Sequence, residues 1–151
     1  MTYVILIYFS HQNRINGEKL LILPCEIAVK SVIPAVKALM AKELVEKRGL
    51  KQDEAAEILG ISQSAVSKYT RKVRGYVIKV DDIEEIEPLI DEMIGILVSG
   101  TYRRGAFLRC FCQTCVLIRK TSLMCQFCQK GDPNIKIEEC GFCLKSNLPQ
   151  K

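Results

Sequence analysis

The cysteines of this chain are concentrated at its carboxyl end, where seven of the eight lie beyond residue 109. Three of the intervals between them are C-x-x-C, and no histidine lies among them. Two cysteines separated by two residues can direct both sulfurs at one ion, so two such pairs supply four thiolates for zinc or an iron–sulfur cluster. The seven are Cys110, Cys112, Cys115, Cys125, Cys128, Cys140 and Cys143.

Disulfides are the other use of many cysteines, but they belong to oxidising compartments. The opening MTYVILIYFS has no basic start, and no small-residue cleavage site follows it. Its apolar run, residues 2–9, is far shorter than the roughly 20 residues that cross a bilayer. We therefore expect a cytoplasmic chain without a membrane span, whose thiols are reduced or bound to metal.

The overall composition is that of an ordinary globular protein. Hydrophobic residues make up 48% of the 151 residues, which is enough for a core, and the formal net charge of +5 is modest. No Walker-type loop, G-x-G-x-x-G motif or acid–histidine constellation is present. An enzyme is therefore not expected, although a redox or sulfur-handling enzyme remains an alternative.

Helical spacing of apolar residues begins at Ser31 and continues to Arg48. Ser31 can cap this helix, Pro34 is acceptable in its first turn, and Gly49 is typical of its end. Two shorter helices are predicted over residues 52–59 and 62–72.

The flanking segments are less regular. Residues 1–23 form an N-terminal extension with a possible strand, and residues 76–80 (YVIKV) are predicted as a short strand or extended linker. Residues 81–100 combine acidic and apolar residues at helical spacing, with Pro88 expected to kink or restart the helix. The acidic side should face solvent, and the apolar side should pack, with a second copy of the chain as a candidate partner.

The segment QDEAAEILGISQSAVSKYT has the layout of a helix-turn-helix. Ala56 is small where two helices cross, Gly60 lies at the turn, and Val66 follows at the required spacing. Ser62 can cap the second helix. The apolar contact between the two helices is predicted from the following residues: Ile58, Leu59, Ile61, Val66 and Tyr69.

The second helix of this motif carries polar and basic residues of the kinds that contact DNA. Short polar side chains at the start of such a helix can reach base edges in the major groove, and basic residues that follow can neutralise phosphates. No acid lies between Gly60 and Gly75. The predicted DNA-binding residues are Ser62, Gln63, Ser64, Ser67, Lys68, Arg71, Lys72 and Arg74.

Residues 24–75, PCEIAVKSVIPAVKALMAKELVEKRGLKQDEAAEILGISQSAVSKYTRKVRG, resemble archaeal predicted transcriptional regulators of the Cro/repressor-like helix-turn-helix class. The resemblance implies sequence-specific binding of duplex DNA, usually as a dimer, with Gln63, Ser64, Ser67 and Lys68 at base-facing positions. Members of the class also tend to carry a short cysteine-containing tail. The matching positions of this chain are Cys112, Cys115, Cys125 and Cys128.

Spacing alone leaves two sets of metal ligands open. The first is the set that the resemblance implies, and the second joins the last two C-x-x-C pairs, Cys125 with Cys128 and Cys140 with Cys143. With the second set, Cys110, Cys112 and Cys115 remain, and Cys25 could complete another foursome. A lone cysteine such as Cys25 ahead of an apolar helix is more often a small buried apolar residue. We prefer the first set because of the resemblance.

The choice of metal lies between structural zinc, which paired C-x-x-C motifs usually bind, and an iron–sulfur cluster. Zinc-ribbon turns usually have glycine after the second cysteine, whereas Cys115 is followed by Val116 and Cys128 by Gln129. Nearby apolar residues such as Phe111 and Phe127 could shield a cluster from water. The prediction is an iron–sulfur cluster, with zinc as the alternative.

Taken together, these patterns predict a mainly α-helical DNA-binding regulator, dimeric, that senses redox or metal state. Residues 24–80 are the helix-turn-helix domain, residues 81–104 an acidic dimerisation helix, and residues 105–151 a small cysteine-rich metal-binding module. A helix-turn-helix protein with purely structural zinc is the alternative.

Overall fold

The computed structural model describes residues 23–101 and 103–145, whose regular structure is helical throughout, without a strand. The mainly α-helical class is thereby confirmed. The helices are α1 (Pro24–Lys30), α2 (Val32–Lys42), α3 (Gln52–Leu59), α4 (Gln63–Thr70), α5 (Glu87–Val98), α6 (Arg104–Lys120), α7 (Cys125–Gly131) and α8 (Phe142–Lys145). A π-helical turn, Glu43–Lys47, continues α2, and a 3-10 turn, Glu84–Ile86, precedes α5. The possible strand in residues 1–23 lies almost wholly outside the described residues.

The start of the helical region differs from the prediction at Ser31. The chain is already helical over α1, so Ser31 marks a bend between two helices and not a first cap. Its hydroxyl donates to the Ile27 carbonyl at 2.8 Å, one turn back, and makes no cap hydrogen bond with α2. A serine that follows helical residues can donate its hydroxyl to the carbonyl four residues back in this way.

Residues 76–80 form no strand, so of the two predictions the linker is the one that the structure has. Ile78 and Val80 are buried at 3% and 2% exposure, while Val77 and Lys79 are exposed. This alternation reflects burial of an irregular connection on one side. A strand also needs a hydrogen-bonded neighbour, and the described part of the chain provides none.

The acidic segment is helical, as predicted, and Pro88 lies in the first turn of α5 after the 3-10 turn, which confirms a restart. Its acids face solvent and the basic end of α2. Lys47 Nζ contacts Glu87 Oε1 at 2.6 Å, and Arg48 Nη2 contacts Asp91 Oδ1 at 3.1 Å. These exposed pairs orient α5 more than they stabilise it.

The apolar side of α5 is buried within the chain itself, against α2, α3 and α6. Ile90, Met93, Ile94 and Ile96 are its buried residues. The dimer contact proposed for this helix remains a prediction, and the apolar side that suggested it is already covered.

The 17-residue helix α6 was not predicted. It packs along α5 and carries three of the cysteines in one continuous helix. Its buried residues, Cys110, Thr114 and Ile118, recur every four residues and face α5 and the core. The cysteine-rich part is therefore joined to the DNA-binding part by a packed helix pair.

Among the described helices, none is long and apolar enough to span a membrane.

Candidate functional sites

The turn between α3 and α4 has the geometry that the motif requires. Gly60 adopts φ 62° and ψ 36°, the left-handed region in which glycine is least strained. The Ser62 hydroxyl accepts a hydrogen bond from the Ala65 amide at 3.2 Å, so the predicted cap of α4 is confirmed. Both ends of the turn are thus fixed by local interactions.

The interior of the hairpin is apolar, as predicted. Val66 is fully buried and Tyr69 is 3% exposed, on the helix that packs against α2 and α3. Ile58, Leu59 and Ile61 are half-buried and pack against this core. The helix α4 therefore has one side locked against α2 and α3, which leaves the opposite side for solvent or a ligand.

The outward side of α4 begins with polar side chains. Gln63 and Ser64 are exposed, Ser67 is half-buried, and Lys68 is exposed. The side-chain Nε2 of Gln63 donates to Oε1 of Gln52, the first residue of α3, at 2.7 Å. This bond holds Gln63 in place without covering it.

Basic side chains continue the same surface beyond α4. Arg71 donates through Nε to the Ser67 carbonyl at 3.2 Å, and the Arg74 guanidinium lies 5.5 Å from the centre of the Tyr69 ring. Lys72 lies 5.7 Å from the Tyr76 ring centre. All three are exposed, and no acid between residues 60 and 75 opposes them. These cations make the part of the surface beyond α4 positively charged.

The hairpin of α3 and α4, with its capped turn and exposed polar and basic side, has the form of a helix-turn-helix domain. Residues 42–86 match the helix-turn-helix family model, which spans α3, α4 and the connection that follows. The match supports a transcription regulator that binds double-stranded DNA, and members of that family are not enzymes. No curated protein and no solved structure matches the chain.

The cysteines fall into two groups according to their electrostatic neighbours. Burial, followed by the charges of Cys143, Cys125 and Cys140, raises the pKa of the Cys128 thiol. The last two C-x-x-C pairs therefore lie near one another, which is the second ligand set that spacing left open.

The other C-x-x-C pair lies near the amino-terminal helix. Burial raises the pKa of the Cys115 thiol to about 11, with smaller contributions from Cys112 and Cys25. Cys25 is exposed, so the expectation of a small buried residue is wrong. The preferred ligand set thus has members in both groups, and it stays a prediction.

Cys110 is separate from both groups because it lies on the side of α6 that faces α5. It is 3% exposed, and its thiol donates a hydrogen bond to the Glu92 carboxylate. Burial, then this bond and the charge of Glu92, raise the pKa of Cys110 to about 11. The thiol therefore stays protonated at neutral pH.

We expect Cys110 to be alkylated last when reduced, chelator-treated protein is exposed to iodoacetamide at mildly alkaline pH. A pKa raised by two units lowers the thiolate fraction about 100-fold, and burial slows the reaction further. Cys112 is the matched comparison, because it is exposed on the same helix. Mass spectrometry of the labelled peptides measures both rates, and equal rates would contradict the burial of Cys110.

Arg119, near the end of α6, is the cation that the two cysteine groups share. Burial raises the pKa of both Cys115 and Cys128, and the positive charge of Arg119 partly offsets that rise. The guanidinium lies 5.5 Å from the centre of the Phe142 ring, one residue before Cys143. Its Nε is buried and has no hydrogen-bond partner among the described residues. A buried guanidinium N–H without an acceptor is costly, so an anionic group beside it would be stabilising.

The donor chemistry of the cysteine region fits zinc or an iron–sulfur cluster, since thiolates are the preferred ligands of both. Within the described residues, no three cysteine, histidine or carboxylate side chains converge closely enough to hold an ion as they stand. No disulfide joins the cysteines either. A centre would therefore have to gather its thiols as it forms, which is common in small metal modules.

Proposed function

We propose that this chain is a sequence-specific transcription regulator that senses redox or metal state through a cysteine-ligated iron–sulfur cluster. The observation that carries the DNA-reading part is the rigidly held helix α4, whose exposed start is polar and whose continuation is basic. The same arrangement with structural zinc is the alternative.

The proposed reading of bases starts at the amino-terminal end of α4. Gln63 and Ser64 are exposed there and follow the capped turn. A glutamine amide pairs with adenine through two hydrogen bonds, and serine donates to or accepts from any base edge. The hydrogen bond that Gln63 donates to Gln52 restricts the rotamers of Gln63, so less side-chain entropy is lost when the base is bound.

The proposed phosphate contacts come from Arg71, Lys72 and Arg74. Arg71 and Arg74 each interact with α4 itself, at the Ser67 carbonyl and the Tyr69 ring. These interactions keep the cations beside the reading surface while leaving other N–H groups for phosphate oxygens. Such contacts position the protein and contribute affinity without sequence preference.

The proposed sensing follows from the way in which the cysteine region is attached. Helix α6 packs on α5, and α5 packs on α2 and α3, so a shift of α6 is transmitted to the reading hairpin through packed helices. Cys25 on α1 lies near Cys112 and Cys115, which adds a direct link between the two regions. Gain, loss or oxidation of a centre would then change the placement of α4.

Dimerisation makes that change effective. Half-sites on duplex DNA lie about 34–36 Å apart for each helical turn, so a small reorientation of two linked reading helices can forfeit one half-site. We propose a homodimer on this ground, with an inverted repeat as its target.

The test uses the full chain, purified anaerobically, in a selection from random duplex DNA. We expect an enriched inverted repeat, bound more tightly than random duplex, with affinity that falls steeply as salt rises. Absence of any enriched sequence would contradict the reading of bases, even if salt-dependent binding to all duplexes remained.

The sensing part is tested on the selected sequence by comparing loaded, oxidised and chelator-treated protein at one salt concentration. We expect their affinities to differ about ten-fold or more, which corresponds to an ordinary coupling free energy of about 1.4 kcal/mol. Equal affinities would refute sensing. A visible spectrum with assayed iron and sulfide supports the cluster, whereas a colourless sample that contains zinc supports the structural alternative.

A further inference from the structure

The last two C-x-x-C pairs are joined by a short connection that makes local hydrogen bonds at the carboxyl end. The first pair lies one turn apart on α7, and the second spans the start of α8. The Asp132 amide donates to the Cys128 carbonyl at 2.9 Å, which closes the last turn of α7, and Gln129 Nε2 of α7 reaches along the connection to the Ile135 carbonyl at 3.2 Å. A tight turn, in which the Cys140 amide donates to the Lys136 carbonyl at 3.1 Å, leads into the second pair.

We propose that these two pairs form one metal site beside Arg119, and that the pair on α6 belongs to no part of it. The four ligands are the thiolates of Cys125, Cys128, Cys140 and Cys143. Each thiol releases its proton to solvent as it binds, and the metal or cluster draws the two pairs together. The inference deepens the metal module of the proposed function and is independent of the reading of DNA.

Arg119 is the observation that points to a ligand at this place. A dication held by four thiolates, whether zinc or a [4Fe–4S] core, carries two negative charges in excess. The Arg119 guanidinium already stacks on Phe142 next to the second pair, and its buried Nε has no acceptor. A thiolate sulfur of the bound site can accept that N–H, which satisfies the buried donor and offsets the charge.

The alternative foursome, with Cys112 and Cys115 in place of Cys140 and Cys143, fits the structure less well. Cys112 and Cys115 lie in the middle of α6, where the neighbouring thiol is Cys25 of α1. Binding them together with the pair on α7 would require the end of α6 to reorganise, and Ile118 in that last turn is fully buried. In the set of α7 and α8, Cys140 is exposed and the other three cysteines are half-buried.

The test compares Cys140→Ser with Cys112→Ser in the full chain. Both residues are exposed, so the two substitutions are matched in burial and chemistry. Zinc, iron and sulfide are assayed in anaerobically purified protein, and chelator-treated protein is titrated with Co²⁺, whose visible spectrum reports thiolate coordination. We expect Cys112→Ser to keep the metal content of the unsubstituted chain, and Cys140→Ser to retain only a small fraction of it.

Far-ultraviolet circular dichroism confirms that both variants stay helical, so that a loss of metal is not a loss of fold. Loss of metal in Cys112→Ser with retention in Cys140→Ser would overturn the assignment in favour of the other foursome. Equal losses, equal retention, or an unsubstituted chain without bound metal would also overturn it. Failure of DNA binding leaves all these readouts unchanged, so the two ideas fail separately.

Arg119→Met tests the positioning residue. We expect metal affinity to fall about 10–100-fold, as is usual for groups that support a ligand without binding the metal. Arg109→Met is the matched control on the same helix, because Arg109 acts on Cys110 and not on the pair of α7. Equal Co²⁺ affinities of the two variants would remove Arg119 from the site, and a shifted Co²⁺ spectrum in Arg119→Met alone supports its place there.

Discussion

Gly75→Ala is expected to destabilise the protein by about 2–4 kcal/mol, because overpacking and a left-handed backbone both oppose the added methyl group. Gly75 has φ 87°, and a Cβ built there would lie 2.6 Å from Ala38 Cβ and 2.6 Å from the Pro34 carbonyl oxygen. Neither neighbour can swing aside, since one is a methyl group on a buried helix and the other is backbone. The helix α2 must therefore shift or the connection after α4 must open.

Thermal unfolding measures this effect, with an expected fall in Tm of roughly 5–15 °C for a chain of this size. Gly60→Ala is the matched control, since Gly60 also has a positive φ but a Cβ there would meet nothing within 4 Å. It should cost about 1 kcal/mol, the backbone part alone. Equal shifts for the two variants would contradict the close approach of Gly75 to α2.

Gln63→Ala is expected to weaken binding to the selected DNA sequence by about 1–3 kcal/mol and to relax base preference at one position of each half-site. Gln63 is exposed at the start of α4 and is held there by Gln52. Its removal deletes the two proposed hydrogen bonds to a base and leaves the helix intact, because the hydrophobic contacts of α4 lie on its other side. Binding to random duplex should change little.

Arg71→Ala is the control for that experiment, because its proposed partner is phosphate. It should weaken binding to the selected sequence and to random duplex alike, and reduce the slope of log affinity against log salt by about 1. Measurement of both duplexes by fluorescence anisotropy over a series of salt concentrations separates the two behaviours. If Gln63→Ala weakened both duplexes equally, Gln63 would not read a base.

The helix-turn-helix was predictable from residues 52–70 because its determinants are local. The apolar period of α3, the turn at Gly60 and the cap at Ser62 each act within a few residues, and all three lie where the sequence indicates. Pro88 likewise marks the start of α5 through a local effect on the backbone. The partner of Gln63 could not be predicted, since Gln52 meets it only when the two helices cross.

Predictions that needed a distant partner fared less well. The alternation of Tyr76–Val80 resembles a strand, but burial of Ile78 and Val80 on a helical core explains it equally. The cap at Ser31 failed because α1 precedes it, and α1 contacts α2 and α7. Periodicity in α6 is present, yet the conspicuous cysteine spacing directed the interpretation to a metal module instead of a helix.

Spacing along the chain restricts the cysteines to pairs, because two residues between two sulfurs suit a shared ion whatever surrounds them. Which pairs meet depends on α6, α7 and the return of the chain to α8, that is, on contacts between residues far apart in sequence. Arg119 shows the same division. Its charge is known from the sequence, but the burial of its Nε and its position beside Phe142 and two groups of thiols depend on packing. Local backbone preferences can be read residue by residue, whereas convergence of side chains in space requires the assembled core.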